Sequence, residues 1–194
     1  MQFATLLGIK TPIFVIWGSL MKAAVFIFLL IIALPTWSKS SLEKSGDIIH
    51  LLLPATAFGA TLVIEDDYQG SWQLIKSGVV SRLTVEGLKF AVDKDRPDNS
   101  GDDSFPSGHT ADSFAAATFI QQRYGWQWAI PAYLGATFVG YSRVESDKHY
   151  VEDVLAGAAI GIISGLYFTE PYFGVTITPI AKSGHYGLSF SGTF

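Results

Sequence analysis

The 194-residue chain contains no cysteine, which excludes disulfides, thiolate metal sites and a cysteine nucleophile together. It leaves the compartment open, since a chain without cysteine can live anywhere. Charge is also scarce. Asp, Glu, Lys and Arg make up 15% of the residues, where a soluble domain carries about a quarter. There is no run of lysines or arginines and the net charge is −4, so nucleic acid is excluded as a partner. So little charge in so apolar a chain excludes a disordered, coiled-coil or collagen-like protein, and no repeat or low-complexity tract is visible. What is abundant is apolar: 49% hydrophobic and 14% aromatic residues, with a mean hydropathy of +0.33. That balance lies between a soluble protein and a polytopic membrane protein, in a length that suits one domain with a sizeable core.

From Ile13 to Pro35 the chain is almost wholly apolar, with Lys22 the one charge. Those 23 residues are enough to cross a hydrocarbon core of about 30 Å. A second reading starts at Met21, with Met21-Lys22 as a charged leader and Ala23–Leu34 as its apolar segment. Thr36 and Ser38 are then the small residues before a cleavage site at Lys39. Residues 1–38 are therefore a membrane helix or a signal peptide, and both readings send the remainder out of the cytoplasm.

Five further helical segments follow: Ile48–Ile64, Trp72–Val92, Thr110–Tyr124, Trp126–Ser142 and Val151–Phe168. Ile48–Ile64 is just long enough to span and equally suits a buried helix. In the last segment Gly157, Gly161 and Gly165 recur every four residues, a stripe that permits close approach of another helix. Between the helices lie a turn at Glu65–Gly70, a long polar loop at Asp93–Ser107 and a charged stretch at Arg143–Tyr150. From Gly174 to Phe194 the pattern alternates with period two, which predicts a short hairpin or extended tail. The expected architecture is all-α: a bundle of about five to six helices over residues 39–173, followed by the tail at 174–194.

Three clusters carry chemistry. They are Lys89 with Arg96-Pro97, then Pro106-Ser107-Gly108-His109, then Ser142-Arg143 with His149 and Asp153. Each falls at a loop–helix boundary, and together they supply three fixed cations, two imidazoles and one carboxylate. That inventory fits an oxyanion, most simply phosphate. Guanidinium groups bind phosphate oxygens in bidentate fashion. A helix opening at Ser107-Gly108 presents unpaired N–H groups to an anion. His149 and Asp153 share one helical face if that helix starts near Asp147, and a carboxylate on one ring nitrogen leaves the other free to attack. His109 is then free to protonate a leaving oxygen. His50 and His185 read as solvated or hydrogen-bonded side chains. The acidic run Asp98–Asp103 lacks the Gly and the terminal Glu of a calcium loop and reads as solvated.

Lys89-x6-Arg96-Pro97, Pro106-Ser107-Gly108-His109 and Ser142-Arg143-x5-His149-x3-Asp153 resemble the tripartite signature of the type-2 phosphatidic acid phosphatase superfamily, with every signature position present. The resemblance implies metal-independent phosphoryl transfer without a cofactor, through a phosphohistidine. On it His149 is the nucleophile, Asp153 its orienter and His109 the general acid, while Lys89, Arg96, Ser107, Gly108 and Arg143 hold the phosphate.

The expected function is hydrolysis of a lipid phosphate or diphosphate monoester in a bacterial envelope. The site then sits in the inner membrane and faces the periplasm. The alternative is a soluble periplasmic acid phosphatase of broad specificity. A vanadium haloperoxidase and a non-enzymatic envelope protein carry less weight, the first because such chains are longer, the second because the signature is intact.

Overall fold

The structure, a computed structural model, describes residues 38–172 in full and the backbone of 174–182 and 185–193. The segment Ile13–Pro35, and with it the choice between leader and membrane helix, lies outside the described residues. Five helices follow one another up and down: α1 Lys39–Ile64, α2 Gln69–Val92, α3 Gly108–Tyr124, α4 Trp126–Glu145 and α5 Val151–Phe168. The tail is an antiparallel hairpin of β1 Gly174–Lys182 and β2 His185–Thr193, with Gly174 opposite Thr193. The all-α bundle expected from the sequence is what is found.

The main difference is at the start of α1, which begins nine residues before Ile48. Ser38 caps it, its Oγ accepting from the Ser41 N–H at 3.3 Å, so the helix opens on a polar turn that apolar periodicity does not register. α4 likewise runs three residues past Ser142 and takes Arg143 into its last turn.

α3 is the central helix and packs against each of the other four. Among the described residues, eight of the fourteen buried apolar side chains are alanines, so the helices meet largely through small residues. The glycine stripe of α5 lies on α3. A Cβ at Gly157 or Gly161 would fall on the carbonyl oxygens of Ser107 and Ala111, and one at Gly165 would lie 2.6 Å from Thr118 Cβ. The large apolar side chains point the other way: Leu51, Leu62, Val63, Leu83, Phe90, Leu155, Ile163 and Tyr167 are all exposed. A water-soluble bundle buries such side chains and exposes charge, so this distribution is the reverse of the usual one.

At the end where α1 passes into α2, a buried ion pair ties the bundle together. Arg123 donates to Glu65 Oε1 at 2.9 Å and Oε2 at 2.7 Å, Tyr124 O–H donates to Oε1 at 2.7 Å, and the Gly70 N–H donates to Oε2 at 3.0 Å. Arg123 Nη1 also reaches the Glu170 carbonyl at 3.0 Å, adding the segment after α5. Replacing Arg123 with leucine leaves the Glu65 carboxylate buried without its charge partner. The expected loss is about 3 kcal/mol, read as a fall of about 10 °C in the thermal midpoint of the purified chain.

Candidate active site

The opposite end of the bundle gathers the three motifs. Lys89 stands in the last turn of α2, after which Asp93, in the left-handed region at φ 48°, turns the chain into the 93–107 loop. That loop is closed on itself, the Ser104 N–H donating to the Lys94 carbonyl at 2.8 Å and the Arg96 N–H to the Gly101 carbonyl at 2.8 Å. Its end leads into α3, whose first turn carries Gly108 and His109. The turn between α4 and α5 holds His149 between Arg143 and Asp153. The Ser107 N–H donates to the Asp153 carbonyl at 2.9 Å and joins the second motif to the third.

These elements enclose a cavity of about 400 Å³ lined by Lys89, Arg96, Gly108, His109, Arg143 and His149, together with Glu43, Asp47, Arg82 and Lys148. Six of the eight candidate residues thus share one wall system. The other two stand behind it. Ser107 is fully buried with its hydroxyl on Thr110 Oγ1 at 2.9 Å, and Asp153 is fully buried. The N–H of Ser107 is already engaged, so the backbone donors left at this helix end are those of the first turn from Gly108 onward.

His149 precedes α5 instead of lying on it, because that helix starts at Val151 and not near Asp147. Its Nδ1 is 2.7 Å from the Ser104 carbonyl and 3.9 Å from Asp153 Oδ2. A carbonyl only accepts, so Nδ1 carries the proton and Nε2 keeps its lone pair. Asp153 reaches the ring through Ser104: Oδ2 accepts from Ser104 Oγ at 2.5 Å and from the Tyr150 N–H at 2.9 Å. Its other oxygen accepts from Lys94 Nζ at 2.7 Å. The direct His–Asp bond suggested by the four-residue spacing is therefore replaced by a path through a serine.

Every cation of the cavity has a carboxylate partner. Asp103 takes Lys89 at 3.0 Å and Arg96 at 2.7 and 3.0 Å, and these bonds hold its carboxyl well below the usual carboxylate range. Asp47 Oδ1 is 3.0 Å from Arg143 Nη1, and Lys148 pairs with Asp98 at 2.8 Å. Arg82 pairs with Asp112, which also takes His50 at 3.0 Å. Burial, chiefly, pushes His149 down to about 4, aided by Arg96 and Lys89. Burial also pushes His109 down to about 4, followed by the nearby His50 and Arg143. The shift favours a neutral His149 ring at physiological pH.

Asp47, Ser104 and Asp103 join the candidate site without having been named by sequence reasoning, and the acidic run read as solvated is ion-paired at Asp98 and at Asp103. The available signal is electrostatic. Three convergent cations at partly buried positions require carboxylates nearby, and the 98–103 run supplies one.

A model of the PAP2 superfamily matches residues 24–175. A lipid A 4'-phosphatase from Helicobacter pylori is 29% identical over 168 residues, covering 77% of this chain and 84% of its own. A lipid A 1-phosphatase from Porphyromonas gingivalis is 42% identical over 104 residues, or 49% of this chain, and the match spans only 23% of that longer relative. Among solved structures, Aquifex aeolicus LpxE superposes with a TM-score of 0.58 at 25% identity, covering 74% of this chain and 92% of that one. A transmembrane PAP2-type phosphatidylglycerolphosphate phosphatase from Bacillus subtilis superposes with a TM-score of 0.56 at 25% identity, covering 77% and 81%.

Proposed function

Because the chain belongs to the PAP2 superfamily, we propose that it is a membrane-embedded phosphatase that hydrolyses a lipid phosphate or diphosphate monoester through a phosphohistidine on His149. The observation that carries this reading is the cavity in which residues of all three motifs meet. The relatives named as lipid A phosphatases support a lipid phosphate as the substrate class.

Lys89, Arg96 and Arg143 hold the phosphate oxygens, exchanging their carboxylate partners for the more highly charged anion, and the start of α3 at Gly108 donates from its backbone. Ser107 shapes that turn from below. Nε2 of His149, left with its lone pair by the Nδ1–Ser104 bond, attacks phosphorus in line with the leaving oxygen. The phosphorus–oxygen bond breaks, its electron pair stays on the leaving oxygen, and His109 supplies the proton. Water then attacks the phosphohistidine, giving its proton to His109 and releasing phosphate. Asp153 holds Ser104, and through it the ring.

The pH dependence follows from the neutral His149. A ring pushed down to about 4 is available for attack above that pH and is lost as a nucleophile below it. Corrected for ionisation of the substrate, kcat/KM is expected to fall as the pH drops through about 4. A limb at the ordinary histidine value near 6.5 would contradict the burial of this ring.

The membrane setting is supported by α1 and α5, which are long and apolar enough to span, and by the outward-facing large apolar side chains. Exposed Tyr68, Trp72, Trp126 and Tyr167 mark one end of the bundle and Phe90, Tyr141 and Tyr150 the other, as interfacial aromatics do. The cavity then lies at the bilayer surface, within reach of a lipid phosphate. On the reading of residues 1–38 given above, that surface faces the periplasm. The test is phosphate release from lipid A, phosphatidic acid, undecaprenyl diphosphate, phosphatidylglycerol phosphate and a soluble monoester, assayed side by side in EDTA. Turnover confined to the soluble monoester, by protein released without detergent, would favour the soluble alternative.

A further inference from the structure

We propose that Asp47, on α1 and outside all three motifs, is a positioning residue that holds His109 and keeps it a proton donor to the leaving oxygen. The inference rests on the phosphatase reading above and concerns its first chemical step.

The geometry is specific. Asp47 Oδ1 is 3.1 Å from His109 Nε2 and 3.0 Å from Arg143 Nη1, so one carboxylate oxygen joins the acid of one motif to a phosphate-binding cation of another. α1 is built to reach them. A Cβ at Gly46 would fall on Ser142 Oγ and lie 2.9 Å from Arg143 Nη2, so only glycine lets the helix come this close. The Glu43 carbonyl, one turn earlier, accepts from Arg143 Nη2 at 2.7 Å and fixes the helix against the site.

The electrostatics give Asp47 a task. His109 must be an imidazolium to protonate an alkoxide, yet its surroundings oppose that charge. It is half-buried, His50 of α1 lies against it with ring centroids 4.2 Å apart, and Arg143 of α4 lies nearby. Arg82 of α2 covers the adjoining Gly108, where a Cβ would come within 2.6 Å of its guanidinium. Two carboxylates act in the other direction, Asp47 and Asp112 of α3. Asp112 is already shared between Arg82 and His50. Asp47 is the carboxylate in direct contact with His109. In the reaction the imidazolium proton passes to the leaving oxygen as its bond to phosphorus breaks, and the ring recovers a proton from the attacking water.

The experiment compares two leaving groups with the full chain purified in detergent. Phosphatidic acid expels an alkoxide that needs a proton, whereas p-nitrophenyl phosphate expels a phenolate that does not. For Asp47→Asn, kcat/KM is expected to fall about 30-fold or more on phosphatidic acid and to stay within about threefold on p-nitrophenyl phosphate. The alkaline limb of the phosphatidic acid profile is expected to move to lower pH, because the ring loses the charge that favours its protonated form. Asp47→Ser provides a second variant, each being checked for a monodisperse folded state before assay. Equal losses on the two substrates, no loss on either, an unmoved alkaline limb, or failure of both variants to fold would overturn the proposal by reducing Asp47 to a structural or phosphate-holding residue. A wild-type chain that turns over neither substrate would instead overturn the phosphatase reading itself.

Discussion

Replacing His149 with alanine is expected to lower kcat/KM on a lipid phosphate by at least about 10⁴-fold while leaving the thermal midpoint within a few degrees of the wild type. The ring is buried, but its hydrogen bonding among the described residues is one bond to the Ser104 carbonyl, which water can replace once the imidazole is gone. The catalytic loss is large because no neighbouring group among the described residues offers a second nucleophile. Lys89, Arg96 and Lys148 are cations engaged with carboxylates, and His109 faces Asp47 from a different helix. Retention of more than a few per cent of activity would mean that the covalent step does not run through this residue. Loss of the fold would mean that the Ser104–His149 bond, and not the chemistry, explains why the residue is there.

The second large effect belongs to the α3–α5 contact. Gly161→Val is expected to destabilise the chain by about 3 kcal/mol or more, with loss of activity in what remains folded. A Cβ at Gly161 would fall on the Ala111 carbonyl oxygen and lie 2.8 Å from the Ala115 nitrogen. Both are backbone atoms of the central helix, so neither can rotate aside and the two helices must separate. Separation also moves the site apart. Its second motif opens α3 and its third ends in the first turn of α5, joined by the Ser107 N–H to Asp153 carbonyl bond at 2.9 Å. A Gly161→Val chain with an unchanged melting temperature and normal turnover would show that the stripe is not a packing surface. Gly59 is the internal control. A Cβ there meets nothing within 4 Å, and alanine at that position of α1 is expected to be neutral or slightly stabilising.

These two cases also show what the sequence made legible. The α5 segment has the same bounds in sequence and structure, because its apolar run is closed by polar residues on both sides and its glycines repeat at the helical period. The three motifs stand out in the sequence at loop–helix boundaries, and residues of all three line one cavity in the structure. What was not readable lay in contacts between positions far apart in the chain. Asp47 meets His109 and Arg143 only once α1 has folded across the site, and nothing in the spacing of an apolar helix marks an acidic residue in its third turn as a partner of the two motifs. Asp103 is hidden in a run of aspartates that looks solvated, and its pairing with Lys89 and Arg96 depends on how the loop closes on Lys94. The His149–Asp153 spacing misleads for a physical reason. Four residues make a pair only inside a helix, and Asp147, in the left-handed region at φ 57°, delays the helix until Val151.

The composition takes on meaning in the same way. With alanine and glycine used for many helix contacts, most of the large apolar residues are left for the outside, and much of the scarce charge is placed in ion pairs at the two ends of the bundle. One end is the Glu65–Arg123 pair, and the other is the cavity where the three motifs meet.

The most direct measurement of the account is rapid acid-free quenching of the full chain during turnover of phosphatidic acid labelled in its phosphate, followed by mapping of the protein-bound label. The expected result is a label that resists alkali, is released by acid, maps to His149 and is absent from the His149→Ala chain. Turnover with no covalent label, or a label on any other residue, would contradict it.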